Sequence, residues 1–73
     1  MNRTPVVSTA IRSIGHAGDL LEVEMANGSI YRATGVSPKD HAEFLAAPSL
    51  GRHFATHIKK NFVFLKVARE PQE

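Results

Sequence analysis

The chain has 73 residues, 42% of them apolar, with 9 Lys+Arg, 7 Asp+Glu and no Cys. That length accommodates one domain, and without cysteine neither a disulfide framework nor a thiolate zinc site can reinforce it. The formal net charge of +2 permits a polyanionic partner without requiring one. The longest apolar run, Phe62 to Leu65, is far short of the ~20 residues of a membrane-spanning helix, and Met1-Asn2-Arg3-Thr4-Pro5 leads into no signal-peptide core, so a cytoplasmic protein with no membrane partner is predicted.

Residues 1–5 read as an N-terminal arm. A first strand is predicted from Val6 to Ile14. Within it Ile11 and Ile14 lie three apart, which breaks the period of two and calls for a bulge or an early strand end near Ser13 and Gly15. His16-Ala17-Gly18-Asp19 is rich in turn formers. In the next strand Leu21, Val23 and Met25 share one face, with Leu20, Glu22 and Glu24 on the other. Asn27-Gly28 then predicts a type I′ hairpin into a third strand over Ser29 to Thr34.

Ser37-Pro38-Lys39-Asp40 is a helix start, with Ser37 as N-cap, Pro38 at the first helical position and Asp40 three residues after the cap. His41, Phe44 and Leu45 form the apolar stripe of this short helix. It stops at Ala47-Pro48, because the residue before proline avoids the α region. Ser49 caps a second helix in which Leu50, Phe54, Ile58 and Phe62 recur every four residues and supply its core face. The predicted fold is α+β: a three-stranded antiparallel meander followed by two helices, in the order βββαα. Residues 6–62 form the domain and 63–73 a tail, apolar and then charged. Phe62-Val63-Phe64-Leu65-Lys66-Val67 must be covered, either as an extra strand or helix extension of this domain or by a partner.

The order and spacing of three segments resemble the KTSC domain family, named for its occurrence at the C-terminus of some lysyl-tRNA synthetases. The segments are Val7-Ser8-Thr9-Ala10-Ile11-Arg12-Ser13-Ile14-Gly15, then Leu21-Glu22-Val23 with Asn27-Gly28-Ser29-Ile30-Tyr31, and Ser49-Leu50-Gly51-Arg52-His53-Phe54 through Ile58 to Phe62. The resemblance implies the same meander and two helices. Two aromatic positions that the family favours are here His16-Ala17 and Ala33, which leaves Tyr31 alone of an aromatic platform. Within the family, the length, the opening and the apolar tail resemble a stand-alone phage-encoded regulator of bacterial transcription. This implies a partner, bacterial RNA polymerase near its RNA exit channel, with nascent RNA as a further contact, and a monomer that blocks initiation and suppresses termination.

Catalytic machinery is sparse. There is no thiol nucleophile, no Gly-rich phosphate loop and no zinc-protease motif, so neither an enzyme nor a cofactor is predicted. His53 and His57, four apart on one helix, have no third ligand nearby in sequence, and no metal site is expected. The distribution of charge is more informative: Arg52, Lys59, Lys60, Lys66 and Arg69 lie in residues 47–69 without a single acid. The expected partner-binding residues are Val6, Val7, Ser8 and Thr9, on an edge strand open to β-addition, with Arg12, Lys59, Lys60, Phe64 and Lys66. The competing expectation is an RNA-binding module using Arg12, Arg32, Arg52, Lys59 and Lys60.

Overall fold

A computed structural model describes residues 3–69. Its sheet has five antiparallel strands in sequence order: β1 (Thr4–Pro5), β2 (Ile11–Ala17), β3 (Leu20–Met25), β4 (Ser29–Thr34) and β5 (Val63–Arg69). The helical segments lie between β4 and β5, namely α1 (Pro38–Leu45), α2 (Leu50–His53), a π-helical stretch (Phe54–Ile58) and α3 (Lys59–Asn61). The α+β class stands, but the expected three-stranded meander ending in helices does not. A short strand precedes the expected three, and the extra C-terminal strand that the sequence left open as one alternative completes a five-stranded sheet, so the order βββαα holds neither at its beginning nor at its end.

At the N-terminal edge the chain forms a strand before the predicted one, with Thr4 opposite Ile14 and Pro5 opposite Ser13. Residues 6–10 are then a connection, not strand. Ser8 explains this locally, because its hydroxyl accepts from the backbone N–H of Ala10 (3.2 Å) and of Ile11 (3.3 Å) and so holds a turn in place of a ladder. The irregular spacing of Ile11 and Ile14 is realised as a register shift between Ile11 and Ser13, which leaves both isoleucines buried. The hairpin after β3 is not type I′, since only Gly28 of the pair takes a positive φ, +89°. Ala26-Asn27-Gly28 forms a three-residue loop in which Gly28 N–H donates to Met25 C=O (3.0 Å) and Asn27 Oδ1 accepts from Ser29 N–H (3.0 Å). Asparagine thus uses its side chain as a turn acceptor and leaves the left-handed backbone to glycine.

α1 begins as the sequence indicates. Ser37 Oγ accepts from Asp40 N–H (3.1 Å), and the Asp40 carboxylate accepts from Ser37 N–H (3.2 Å). Residues 50–61 run on as one continuous rod with a π-helical stretch at its centre, where Lys59 N–H donates to Phe54 C=O. A spacing of four on a pure α-helix rotates about 40° per step, so Leu50, Phe54, Ile58 and Phe62 would drift off one line. The wider π turn rotates in the opposite sense, and it keeps Phe54 and Ile58 both fully buried.

The core lies between the rod, α1 and one face of the sheet: Ile11, Ile14, Leu21, Val23, Ala33, Val36, Phe44, Phe54 and Ile58 are buried together. The other face carries Glu22 and Glu24, both buried among neighbouring polar side chains. Glu22 is paired with Arg32 (3.0 Å) and Arg3 (3.8 Å); Glu24 accepts from Ser13 Oγ (2.9 Å) and meets Arg12 (3.3 Å). Residues 63–69 of the predicted tail form β5, with Phe64 opposite Ala33 and Lys66 opposite Tyr31, and the charged end of that tail, 70–73, lies outside the described residues. Of the readings left open by its apolar run, the strand is the one adopted.

At Gly51 the rod approaches the 6–10 connection so closely that a Cβ would lie 2.8 Å from Ala10 Cβ. Gly51→Ala gains helix propensity but must force the two backbones apart, so a net loss of up to about 2 kcal/mol is expected. Thermal melts of Gly51→Ala and of the double variant with Ala10→Gly check this. The second substitution should restore most of the loss, and a single variant as stable as the parent would show that the contact is slack.

Candidate docking site

The turn held by Ser8 places the segment Val6 to Thr9 beside the α1–α2 connection. Between them lies an open groove of about 490 Å³, with Val6, Val7, Ser8 and Thr9 on one wall and Leu45, Ala47, Pro48, Ser49 and Leu50 on the other. Val7 is fully exposed and Leu45 is 46% exposed, so two large apolar side chains stand in solvent at the rim. Val6 is half-buried against the core, and its N–H is already donated to Arg12 C=O (3.1 Å). The four residues therefore do not form the open edge strand expected of them. They form a shaped wall, whose opposite side follows from α1 ending at Ala46 and from Pro48 preventing its continuation.

The remaining expected residues lie elsewhere. Lys59 Nζ sits over three rings, 5.7 Å from the centroid of Tyr31, 5.5 Å from Phe54 and 5.4 Å from Phe64. Tyr31 and Phe64, neighbours on β4 and β5, are 5.9 Å apart, and both rings lie against the buried Phe54. The apolar tail was the available signal, but only strand pairing reveals where Phe64 goes. Arg12 is engaged by Glu24 and by Ala26 C=O (2.7 Å), and Arg32 by Glu22. Lys60 and Arg52 are exposed on the rod, and Lys66 is exposed on β5.

Two histidine contacts bracket α1. His41 stacks on His16 with centroids 4.6 Å apart and planes 8° from parallel, while His16 Nε2–H donates to Val36 C=O (2.6 Å). On the other side Phe44 stacks on His53 at 5.4 Å, and His53 lies 4.7 Å from His57. Burial, and then the neighbouring His16, hold His41 below the ordinary histidine range. His53 is lowered likewise by burial and then by His57, against the opposing pull of Glu43. His53 and His57 are adjacent as their spacing predicts, and no group of three or more metal-ligating side chains occurs among the described residues.

Among the described residues no helix is long and apolar enough to cross a membrane. Comparison with known proteins finds that residues 7–62 match the KTSC domain. An uncharacterized protein of Stutzerimonas stutzeri (strain A1501) is 41% identical over 56 residues, 74% of this chain and 79% of that protein. The crystal structure of a KTSC domain protein from Yersinia pestis superposes with a TM-score of 0.83 at 36% identity, covering 92% of this chain and 97% of the other.

Because His41 and His53 are harder to protonate in the fold than in the unfolded chain, acidification delivers protons to the unfolded state first. Stability should therefore decline as pH falls through the ordinary histidine value of about 6.5 and continue to decline until the folded groups protonate. The melting temperature should drop between about pH 7.5 and 5.5, ahead of carboxylate titration, and His41→Gln should flatten that slope. A melting temperature constant across the window would show that neither ring is held neutral by the fold.

Proposed function

Since the chain belongs to the KTSC domain family, we propose that it is a docking module, not an enzyme, which binds bacterial RNA polymerase through the groove between residues 6–9 and the α1–α2 connection. One observation carries the reading: a preformed groove of about 490 Å³ with exposed apolar anchors, Val7 and Leu45, at its rim. A partner that covers large exposed apolar side chains removes their area from water, which suits them as anchors. The identity of the partner rests on the resemblance to a phage-encoded regulator. Its action is steric: a bound domain of this size obstructs the surface needed by the initiation factor and narrows the path of the emerging RNA, so that initiation is inhibited and termination suppressed.

The RNA-binding reading is weakened by the use of its cations. Arg12 and Arg32 neutralise Glu24 and Glu22, and Lys59 is drawn over the aromatic rings, which leaves Arg52 and Lys60 as the exposed cations of the set that neither an acid nor a ring engages among the described residues. Few phosphate contacts imply weak binding with only a shallow salt dependence. Val7→Asp and Leu45→Asp place charge at the rim without touching the buried core, so each should reduce affinity for purified polymerase at least about tenfold with an unchanged melting temperature. Arg52→Glu with Lys60→Glu should act mainly on the association rate and its salt dependence. Binding of single-stranded RNA that is lost on the charge reversal, with no polymerase affinity in the parent, would reverse the order of the two readings.

A further inference from the structure

α1 is anchored by Phe44 in the core and by His41 against β2. The second anchor is made of two titratable rings. His41 and His16 lie with centroids 4.6 Å apart and planes 8° from parallel, and His16 is fixed by its Nε2–H, which donates to Val36 C=O (2.6 Å) just before the α1 cap. Because a carbonyl only accepts, that nitrogen keeps its proton in either state of His16, and the charge of the ring is decided at Nδ1. Such a stack accommodates two neutral rings, or one neutral ring on one imidazolium, whereas two imidazolium rings at this separation repel. The pair also adjoins the groove. It shares a cleft of about 220 Å³ with Val6 and Leu45, and those two residues line the groove as well. Leu45 follows His41 by four residues, one turn along the same face of α1, so a movement that parts the rings carries Leu45 with it.

We propose that the His16–His41 stack is a proton-operated latch on the docking groove: with at most one proton added to the pair the groove keeps its shape, and a second parts α1 from β2 and displaces the Leu45 wall. The inference rests on the docking reading, whose regulation it supplies. The charges of the surrounding elements leave the pair to itself. Glu22 and Glu24 of β3 lie on the opposite sheet face, paired with Arg3, Arg32 and Arg12. Asp40 is taken up by the α1 cap, while Asp19 in the β2–β3 turn and Lys39 and Glu43 on α1 are exposed. β1 and residues 6–10 carry no charge. Of the neighbouring charges it is His16 that bears on His41, which burial first and that ring second hold below the ordinary histidine range. The latch is therefore closed near neutrality and takes its second proton in mildly acid solution. Protons open it because the parted rings bind them more tightly than the stacked ones, and the coupling is reciprocal: a partner that fills the groove and holds Leu45 in place disfavours the second proton by the same factor.

Nuclear magnetic resonance of the unmodified chain reads the latch directly. Between about pH 7.5 and 5 the Overhauser contact between the His16 and His41 rings should disappear as the second ring titrates. The methyl signals of Val7, which lines the groove but not the histidine cleft, should shift with the same midpoint. In His41→Phe, whose ring stacks without titrating, the Val7 signals should stay still. Affinity for purified RNA polymerase is then measured for both chains, and the ratio of the two removes any titration of the polymerase itself. That ratio should fall at least about fivefold against the native chain across the same range. A ring contact that survives the titration of both histidines overturns the latch, as do Val7 signals that shift equally in His41→Phe, an affinity ratio constant with pH, or a global loss of the circular dichroism spectrum in place of the local change. A polymerase that binds neither chain at any pH overturns the docking reading instead, and the ring contact and Val7 signals then decide the latch alone.

Discussion

Phe54 is the contact that ties the layers together. Its ring lies 6.3 Å from Phe44 on α1, 6.1 Å from Tyr31 on β4 and 6.3 Å from Phe64 on β5, with Lys59 above it. A chain of 73 residues without disulfides has little apolar area to distribute, so one aromatic side chain that reaches every layer holds a large share of the cohesion. The π-helical stretch that begins at Phe54 belongs to the same arrangement, because it turns the rod so that Ile58 is buried on the same side.

The docking groove depends on that packing at one remove. Its far wall is the segment that leaves α1 and enters the rod, and its position is fixed by Phe44 beneath it and by the close approach of Gly51 to Ala10. Its near wall is fixed by the hydroxyl of Ser8 and the N–H of Val6. Both walls are therefore built from backbone held at several points, which permits the rim side chains to stand exposed without the segment collapsing onto them.

Much of this was legible in the sequence where a residue pattern is local. The Ser37–Asp40 cap and the alternation over Leu20 to Met25 depend on neighbours within a turn or two, and each emerges where the pattern places it, whereas the stripe of the second helix packs on the core only with a π-helical stretch from Phe54 to Ile58 and with Phe62 extended beyond the helix. Of the two edge strands, the first was not legible and the last was only one of several readings. Thr4 and Pro5 have no strand-forming signature and are recruited only because Ile14 and Ser13 present an unpaired edge. The tail carries an apolar signal that fits a strand, a helix or an interface equally, and only the partner edge of β4 decides among them. The groove residues Val6 to Thr9 were singled out as an edge strand; the hydroxyl of Ser8, which competes with the ladder, turns them into a wall. The histidine stack across β2 and α1 joins positions whose adjacency no spacing rule foretells.

The placement of both helical segments between β4 and β5 also orders events in time. β2, β3 and β4 are joined by short loops and pair with near neighbours, so their ladder closes early on the folding path. β5 meets β4 only after the rod has been laid across the sheet, and the entropy of closing that long excursion must be met before Phe64 reaches Tyr31. On the ribosome β5 emerges last, and until it arrives the edge of β4 is bare, with Tyr31 and Ala33 uncovered on one side. The residence time of that intermediate, more than the stability of the finished domain, sets how long the nascent chain is open to mispairing.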